Sequence, residues 1–257
     1  MNDSVMSFYD RLARDYHHIF ADWKQSVQRQ GEALGGLISA QRGSLPLTVL
    51  DCTCGIGTQA IGLALYGYTV HGTDLSPEAI ERARQEAKNF GVTVMVSVAD
   101  LLRLEEQVSG TYDVVLSCDN ALAHFLTDDA LEQALHNMAA KLAPNGLLLA
   151  SIRDYDAILQ EKPRTMPPQL SDRDGSRAVS FQVWDWLGNG HTYTLNHFIV
   201  KQVDNAWQTT CNVTKLRAWR RAEVQLLLAR AGLTEIQWHM PTDSGFSQPI
   251  VTARKTN

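Results

Sequence analysis

Hydrophobic and polar positions change their period twice along the chain. Between residues 47 and 152, short apolar runs alternate with segments in which apolar residues recur every three to four positions. That alternation predicts a parallel sheet with crossover helices. Strands are expected at 47–52, 68–73, 92–98, 112–118 and 146–152. Helices are expected at 58–66, from Ser76 to about 90, and at 128–142. The second helix opens on Ser76-Pro77-Glu78, a capping residue, a proline in the first turn and an early acid, and stops at Gly91. Pro144-Asn145-Gly146 reads as a turn.

Beyond Arg153 the period falls to two. A proline-rich link at 161–168 leads into aromatic segments at 179–186, 192–200 and 207–213, and Gly188-Asn189-Gly190 sits where a hairpin turn belongs. A helix at 222–231 follows, ending at Gly232, and 235–239 and 249–253 then supply two last strands. Before residue 47 the pattern is helical: Phe8, Leu12, Tyr16, Ile19, Phe20, Trp23 and Val27 form one amphipathic stripe. The expected organisation is an N-terminal helical cap (1–46), an α/β core (47–155), an inserted antiparallel subdomain (156–217) and a C-terminal return to the core (218–257).

Composition narrows the function. A chain of 257 residues with 44% hydrophobic residues can bury a large core, and a formal net charge of -5 provides no basic field for a phosphate backbone. Nucleic acid is therefore not expected as a partner. The N-terminal segment is acidic where a signal peptide would be basic, and no apolar run is long enough to span a bilayer, so neither membrane insertion nor export is expected and the reading is cytoplasmic. Cys52, Cys54, Cys118 and Cys211 lack paired zinc-site spacing and read as reduced thiols. No metal is expected.

The chemistry lies in the loops after the strands, because open α/β sheets bind ligands at the carboxyl ends of their strands. Asp51-Cys52-Thr53-Cys54-Gly55-Ile56-Gly57-Thr58 joins the first strand to the first helix, and its glycines admit close approach of a ligand to backbone. Asp74, some twenty residues on, stands where an acid that bonds ribose hydroxyls belongs. Asp100, after the third strand, can accept from an adenine amino group or simply cap a turn. Three loops agree on an adenosine-bearing ligand. Arg153, directly after a buried strand, offers a planar fork to a carboxylate; its alternative is an ion pair with Asp154, Asp156 or Asp119. His124 can orient a nucleophile or cap a helix.

Taken together, D-x-x-C-G-x-G-T with Asp74 and Asp100 resembles the class I S-adenosylmethionine-dependent methyltransferases, and Ala60 stands where the third glycine of a nicotinamide fingerprint would be. Cys118-Asp119-Asn120-Ala121-Leu122-Ala123-His124, with Ser151-Ile152-Arg153-Asp154-Tyr155-Asp156, resembles the glycine and glycine/sarcosine N-methyltransferase group over about residues 9–156. The resemblance implies a Rossmann-like, seven-stranded, mostly parallel sheet with helices on both faces and a small antiparallel subdomain inserted after strand five. It implies S-adenosylmethionine as cofactor, with S-adenosylhomocysteine as product. Tyr16, Trp23, Asp51, Cys54, Gly55, Gly57, Asp74, Leu75, Asp100, Leu101 and Cys118 are the expected cofactor residues, and Asn120, His124, Arg153 and Tyr155 the expected catalytic ones. Asp154 departs from the group's R-N-Y-D motif and sets an acid beside the expected carboxylate site.

Methyl transfer from a sulfonium needs alignment and exclusion of water more than a strong base. Tyr9, Tyr16, Tyr155 and Tyr193 are candidates to line the site, and Trp184, Trp186 and Trp207 either cover it or pack the inserted subdomain. The expected acceptor is a small, anionic amine. Rival readings are an O- or C-methyltransferase using His124 or His17 as base, metal-assisted transfer through Asp119, Asn120 and Asp154, or a protein that binds the cofactor without turnover. The sequence leaves oligomeric state open, a homo-oligomer among the alternatives.

Overall fold

The structure, a computed structural model, describes residues 3–43, 46–173 and 176–255; the first two residues of the N-terminal segment and positions 44, 45, 174, 175, 256 and 257 lie outside it. Two helices lead the chain, α1 (Asp3–Ala13) and α2 (Trp23–Arg42), with a 3-10 turn at Tyr16–Ile19 between them. The N-terminal stripe is thus divided among three elements. Asp22 opens α2 by accepting from the Gln25 N–H at 3.0 Å.

The core then alternates strand and helix: β1 (Thr48–Asp51), α3 (Thr58–Leu65), β2 (Thr69–Asp74), α4 (Pro77–Asn89), β3 (Met95–Val98), a short α5 (Leu104–Gln107), β4 (Tyr112–Ser117), α6 (Asp128–Ala140) and β5 (Leu142–Ser151). After α7 (Tyr155–Glu161) come four long strands, β6 (Thr165–Arg173), β7 (Ser176–Trp186), β8 (Thr192–Val203) and β9 (Ala206–Arg217). The chain returns through α8 (Arg221–Arg230), β10 (Leu233–His239), a short α9 (Pro241–Ser244) and β11 (Ile250–Lys255).

Seven strands form one sheet in the order β10-β11-β5-β4-β1-β2-β3. Every pairing from β3 to β5 is parallel, and β11 runs antiparallel to both its neighbours. Strand order reverses between β1 and β4, which opens a crevice at their carboxyl ends. The central strands β1, β4 and β5 are largely buried on both faces because both faces are covered, whereas the edge strands β3 and β10 are partly exposed. Leu50, Val115 and Leu148 face α6, α8 and part of the second sheet, whereas Val49, Val114, Leu147 and Leu149 face α2 and α3. The contact of α2 with α3 is backbone to backbone: a Cβ on Gly31 would lie 2.5 Å from the Gly62 carbonyl carbon. Only glycine permits that approach, and it draws α2 in beside the glycine loop.

Two local expectations need correction. Pro144-Asn145-Gly146 lies inside β5, where the register with β4 jumps from Tyr112↔Leu142 to Val114↔Leu147. The turn chemistry is there, with Asn145 at φ 59°, but it makes a bulge in a strand and not a connection. The proline-rich link is largely β6, whose Pro167 and Pro168 fall where the register with β7 shifts between Met166 and Gln169. β6 is the edge of the antiparallel sheet, ordered β6-β7-β8-β9, and an edge strand tolerates residues that cannot donate to a ladder.

The second sheet packs on the first through Trp184, Tyr193, Leu195 and Leu216, and Ala178 and Ile199 receive Phe8 and Leu12 of α1. Both sheet and helix are thereby held over the crevice.

Candidate active site

The floor of the crevice is built by the loops after β1 to β4. Cys54 N–H bonds the Thr73 carbonyl at 2.9 Å, which turns the chain over β2 into the glycine loop. Gly55 has φ 53°, and a Cβ there would meet nothing within 4 Å, so the space above its backbone is open. Asp74 is buried, and its two carboxylate oxygens accept from the backbone N–H groups of Gly55 and Ser76, each at 2.9 Å. Burial pushes its pKa up and the N–H groups oppose that shift. One carboxylate thus ties together two cavity-lining loops.

Above this floor is a cavity closed on most sides by the surrounding elements. Thr53, Cys54 and Gly55 line it from the glycine loop, Thr58 and Gln59 from α3, and Asp74 and Leu75 from the end of β2. Ala99, Leu101, Cys118, Asp119, Ala121 and His124 come from the loops after β3 and β4, and Val5, Tyr9 and Tyr16 from the N-terminal elements close the roof. Of the expected cofactor residues, Tyr16, Cys54, Gly55, Asp74, Leu75, Leu101 and Cys118 meet here.

The others stand beside the cavity. Trp23 is buried and donates from Nε1 to Thr58 Oγ1 at 2.9 Å, so it acts on the lining through Thr58. Gly57 is the left-handed N-cap of α3. Asp51 lies beneath the loop: Oδ1 accepts from the Thr53 N–H at 3.3 Å and Oδ2 has no partner. Burial raises its pKa to about 8, so the carboxyl is largely neutral at pH 7. Asp100 caps the 3-10 turn after β3, accepting from the Leu102 N–H at 3.0 Å, and its neighbours on both sides face the cavity while it does not.

Asp119 and Asn120 are consecutive non-glycine residues at φ 56° and 69°. Such conformations cost about 1–3 kcal/mol each and collect at ligand sites. The strained pair sends its two side chains in different directions. Asp119 accepts from Gln59 Nε2 at 3.0 Å, and Gln59 also donates to Gln30 on α2 at 2.7 Å. Asn120 donates to the Tyr155 hydroxyl at 3.0 Å and accepts from the Arg153 backbone N–H at 3.1 Å. Sequence reasoning passed over Gln30 and Gln59. Their signal was a polar residue on the apolar face of each of two helices.

Arg153 donates to the Tyr193 hydroxyl at 3.3 Å and to Gln182 Oε1 at 3.2 Å, and its guanidinium carbon lies 4.9 Å from the Trp184 ring centroid. Tyr193 stacks on the other ring of that pair, Trp184, at 4.4 Å and bonds Tyr155 at 2.9 Å. All these partners are neutral. Of the neighbouring acids, Asp154 and Asp156 are engaged elsewhere, since Arg221 lies 3.7 Å from Asp154 and 2.8 Å from Asp156, while Asp119 acts on Arg153 through its charge and hydrogen-bonds Gln59. Asp154 also caps α7 by accepting from the Ala157 N–H, so the departure from R-N-Y-D leaves the guanidinium without a paired carboxylate.

His124 is buried, 2.9 Å from the Tyr9 hydroxyl at Nε2 and 3.5 Å from Thr214 Oγ1 at Nδ1. Burial and then Arg153 lower its pKa to about 4, which leaves the ring neutral at pH 7. His17 lies outside the cavity, in a separate groove against Arg82 and Glu86. Trp184 is fully buried, Trp186 packs against the same core, and Trp207 is 50% exposed at the far end of the β8-β9 hairpin. Trp184 and Trp186 pack the second sheet against the core, and Trp207 stands away from the cavity. Among the described residues no three His, Cys, Asp or Glu side chains are grouped to hold a metal, and no helix is long and apolar enough to cross a membrane.

Comparison with known proteins agrees with this architecture. Residues 49–146 match the methyltransferase domain family. A glycine/sarcosine N-methyltransferase of Parasynechococcus marenigrum is 30% identical over 156 residues, 61% of this chain and 52% of the relative. A magnesium-protoporphyrin O-methyltransferase of Synechocystis is 33% identical over 128 residues, 48% of each chain. The chain thus spans about half the length of these curated relatives. The solved structure of an S-adenosylmethionine-dependent methyltransferase from Clostridium acetobutylicum superposes with a TM-score of 0.76 at 14% identity, covering 97% of this chain and 99% of that one. The family match is thus confined to residues 49–146, and the fold of the whole chain is similar to that of the S-adenosylmethionine-dependent methyltransferase on which it superposes.

Proposed function

We propose that this protein is an S-adenosylmethionine-dependent methyltransferase acting on the amine of a small, carboxylate-bearing metabolite. The observation that carries the acceptor class is Arg153, a guanidinium packed on Trp184 with only neutral hydrogen-bond partners. A cation held away from bulk water favours an anionic partner, and the fork suits a carboxylate. The similarity to glycine/sarcosine N-methyltransferases points the same way.

The lining suits the cofactor: the space over Gly55 is open, and Asp74 retains acceptor capacity toward the ribose after binding two N–H groups. Leu75, Ala99 and Leu101 offer apolar contact to an adenine, and Gln59 and Asp119 offer polar contact to an amino-acid end. Bound there, S-adenosylmethionine supplies a methyl group already activated by its sulfonium charge. Tyr9 and Tyr16 close the cavity and exclude water. Asn120, Arg153 and Tyr155 orient the acceptor through one hydrogen-bonded nest. His124 and Tyr9 hold a hydrogen bond at the amine. With a pKa of about 4, His124 is too weak a base to ionise a hydroxyl near neutral pH. An amine that arrives neutral needs no such base, which favours N- over O-methylation.

The test is calorimetric titration of S-adenosylmethionine and S-adenosylhomocysteine into the protein and into Asp74→Ala, followed by homocysteine-release assays on glycine, sarcosine and other small amines and acids. Micromolar binding lost in the variant, with turnover on a carboxylate-bearing amine, is the expected result. Absence of binding refutes the cofactor assignment; turnover confined to hydroxyl acceptors refutes the amine.

A further inference from the structure

His124 faces two spaces. One side borders the cofactor cavity through Tyr9; the other borders an open groove of about 610 Å³ at the junction of α1, the start of α6 and the second sheet. Among the described residues Val5 is the only other one that lines both, so these two side chains form the partition. The groove wall is apolar, made of Val5, Leu102, Phe125, Leu126, Ala130 and Val213, with Leu126 and Val213 38% and 46% exposed. Threonine hydroxyls rim it, and Thr214 reaches His124 itself. One cation borders it, Lys215, which is exposed and makes no hydrogen bond or ion pair with another described residue. Arg217, on the same strand, is held by Asp128 and Glu223.

We propose that this groove holds the body of the methyl acceptor: an amine that reaches His124 and Tyr9 at its inner end, carried on an apolar chain or ring whose outer end is acidic and meets Lys215. The inference rests on the methyl-transfer reading and does not depend on Arg153. Three features select this occupant over others. His124, one of the two residues shared with the cavity, is the one bonded to Tyr9, so the inner end of the groove adjoins the cavity at that pair. Its walls exclude a strongly hydrated acceptor, because apolar surface is left covered only by an apolar body. Its unpaired charge is a single cation at the outer rim, complementary to one acidic group. The space also greatly exceeds what a two-carbon amino acid fills, so glycine-sized acceptors use only its inner end.

The groove can be probed with 8-anilinonaphthalene-1-sulfonate, an aromatic anion whose fluorescence rises in apolar sites, titrated into the whole chain with and without saturating S-adenosylhomocysteine. One dye per chain is expected, retained when the homocysteine derivative binds and displaced by 8-aminooctanoate. Lys215→Glu is expected to weaken the dye about fivefold, the size of one exposed charge interaction, and Val213→Asp about tenfold. Both positions are exposed and outside the cofactor cavity, so calorimetric S-adenosylhomocysteine affinity reports that each variant is folded. Dye affinity unchanged in both variants, displacement by S-adenosylhomocysteine, no displacement by 8-aminooctanoate, or no dye binding overturns the groove. Failure of the wild-type protein to bind S-adenosylhomocysteine overturns the methyl-transfer reading, and with it the acceptor role, whatever the dye does.

Discussion

The floor of the site and its roof are made in different ways. The floor consists of strand-end loops within one contiguous stretch, 51–124, and its hydrogen bonds are largely between backbone and a neighbouring loop: Asp74 to Gly55 and Ser76, Cys54 to Thr73. The roof draws Tyr9 from α1, Arg153 from the end of β5, and Gln182, Tyr193 and Thr214 from the second sheet, and its bonds join side chains up to 115 positions apart. A floor of that kind can be shared by any enzyme using the same cofactor. A roof assembled from distant residues can change with the acceptor while the floor stays the same.

The two regions also carry opposite electrostatic signatures, which gives the largest expected effect. In the floor, Asp51 keeps its proton to about pH 8 when folded but releases it near 3.8 when unfolded. The folded state therefore binds more protons between those values, and stability falls by several kcal/mol as pH rises through the window. Asp51→Asn should flatten that decline in denaturant titrations at pH 5 to 8; an unchanged slope would show that another group causes it. His124 in the roof works in reverse. Its lowered pKa makes its contribution present above about pH 6.5 and lost as pH falls toward 4.

Next in size, Trp184→Ala removes a fully buried ring from beneath Arg153 and Tyr193. It should cost about 3–5 kcal/mol of stability, read from the urea midpoint. If the regions are separable, S-adenosylhomocysteine affinity under native conditions should change far less than acceptor turnover. A parallel loss of both would break the comparison.

Asp74→Ala sharpens it from the other side. Two backbone N–H groups lose their acceptor, and cofactor affinity should fall about 100-fold, on the order of 3 kcal/mol for a charged hydrogen-bond partner. The roof should persist, with Tyr9 and His124 still coupled.

Smallest is Arg153→Met, which keeps the stem against Trp184 and removes the fork. KM for a carboxylate-bearing amine should rise about 10- to 30-fold, or about 1.4–2 kcal/mol, while calorimetric cofactor affinity stays within twofold. Equal effects on both ligands would place Arg153 on the cofactor.

The central strands β1, β4 and β5 could be read from sequence because each contains a short apolar run, and burial on both faces enforces that pattern. The glycine loop and Asp74 were legible because their roles follow from position at a strand end. β6 was not, since Pro167 and Pro168 read as a linker until the edge of a sheet gives them a place without a ladder bond. The Asp119-Asn120 backbone strain left no sequence trace, because asparagine and aspartate enter left-handed conformations at little local signal.

What the sequence by itself determined is the order of strands and helices, the ligand-facing loops and the identity of the arginine after β5, all set by local periodicity and chain position. The tertiary structure decided that Asp154 and Asp156 turn to Arg221 and leave Arg153 to neutral partners, that Tyr9 meets His124, and that His124 divides a cavity from a groove. Those are contacts between residues far apart in the chain, chosen by which apolar faces pack together, and no local pattern encodes them.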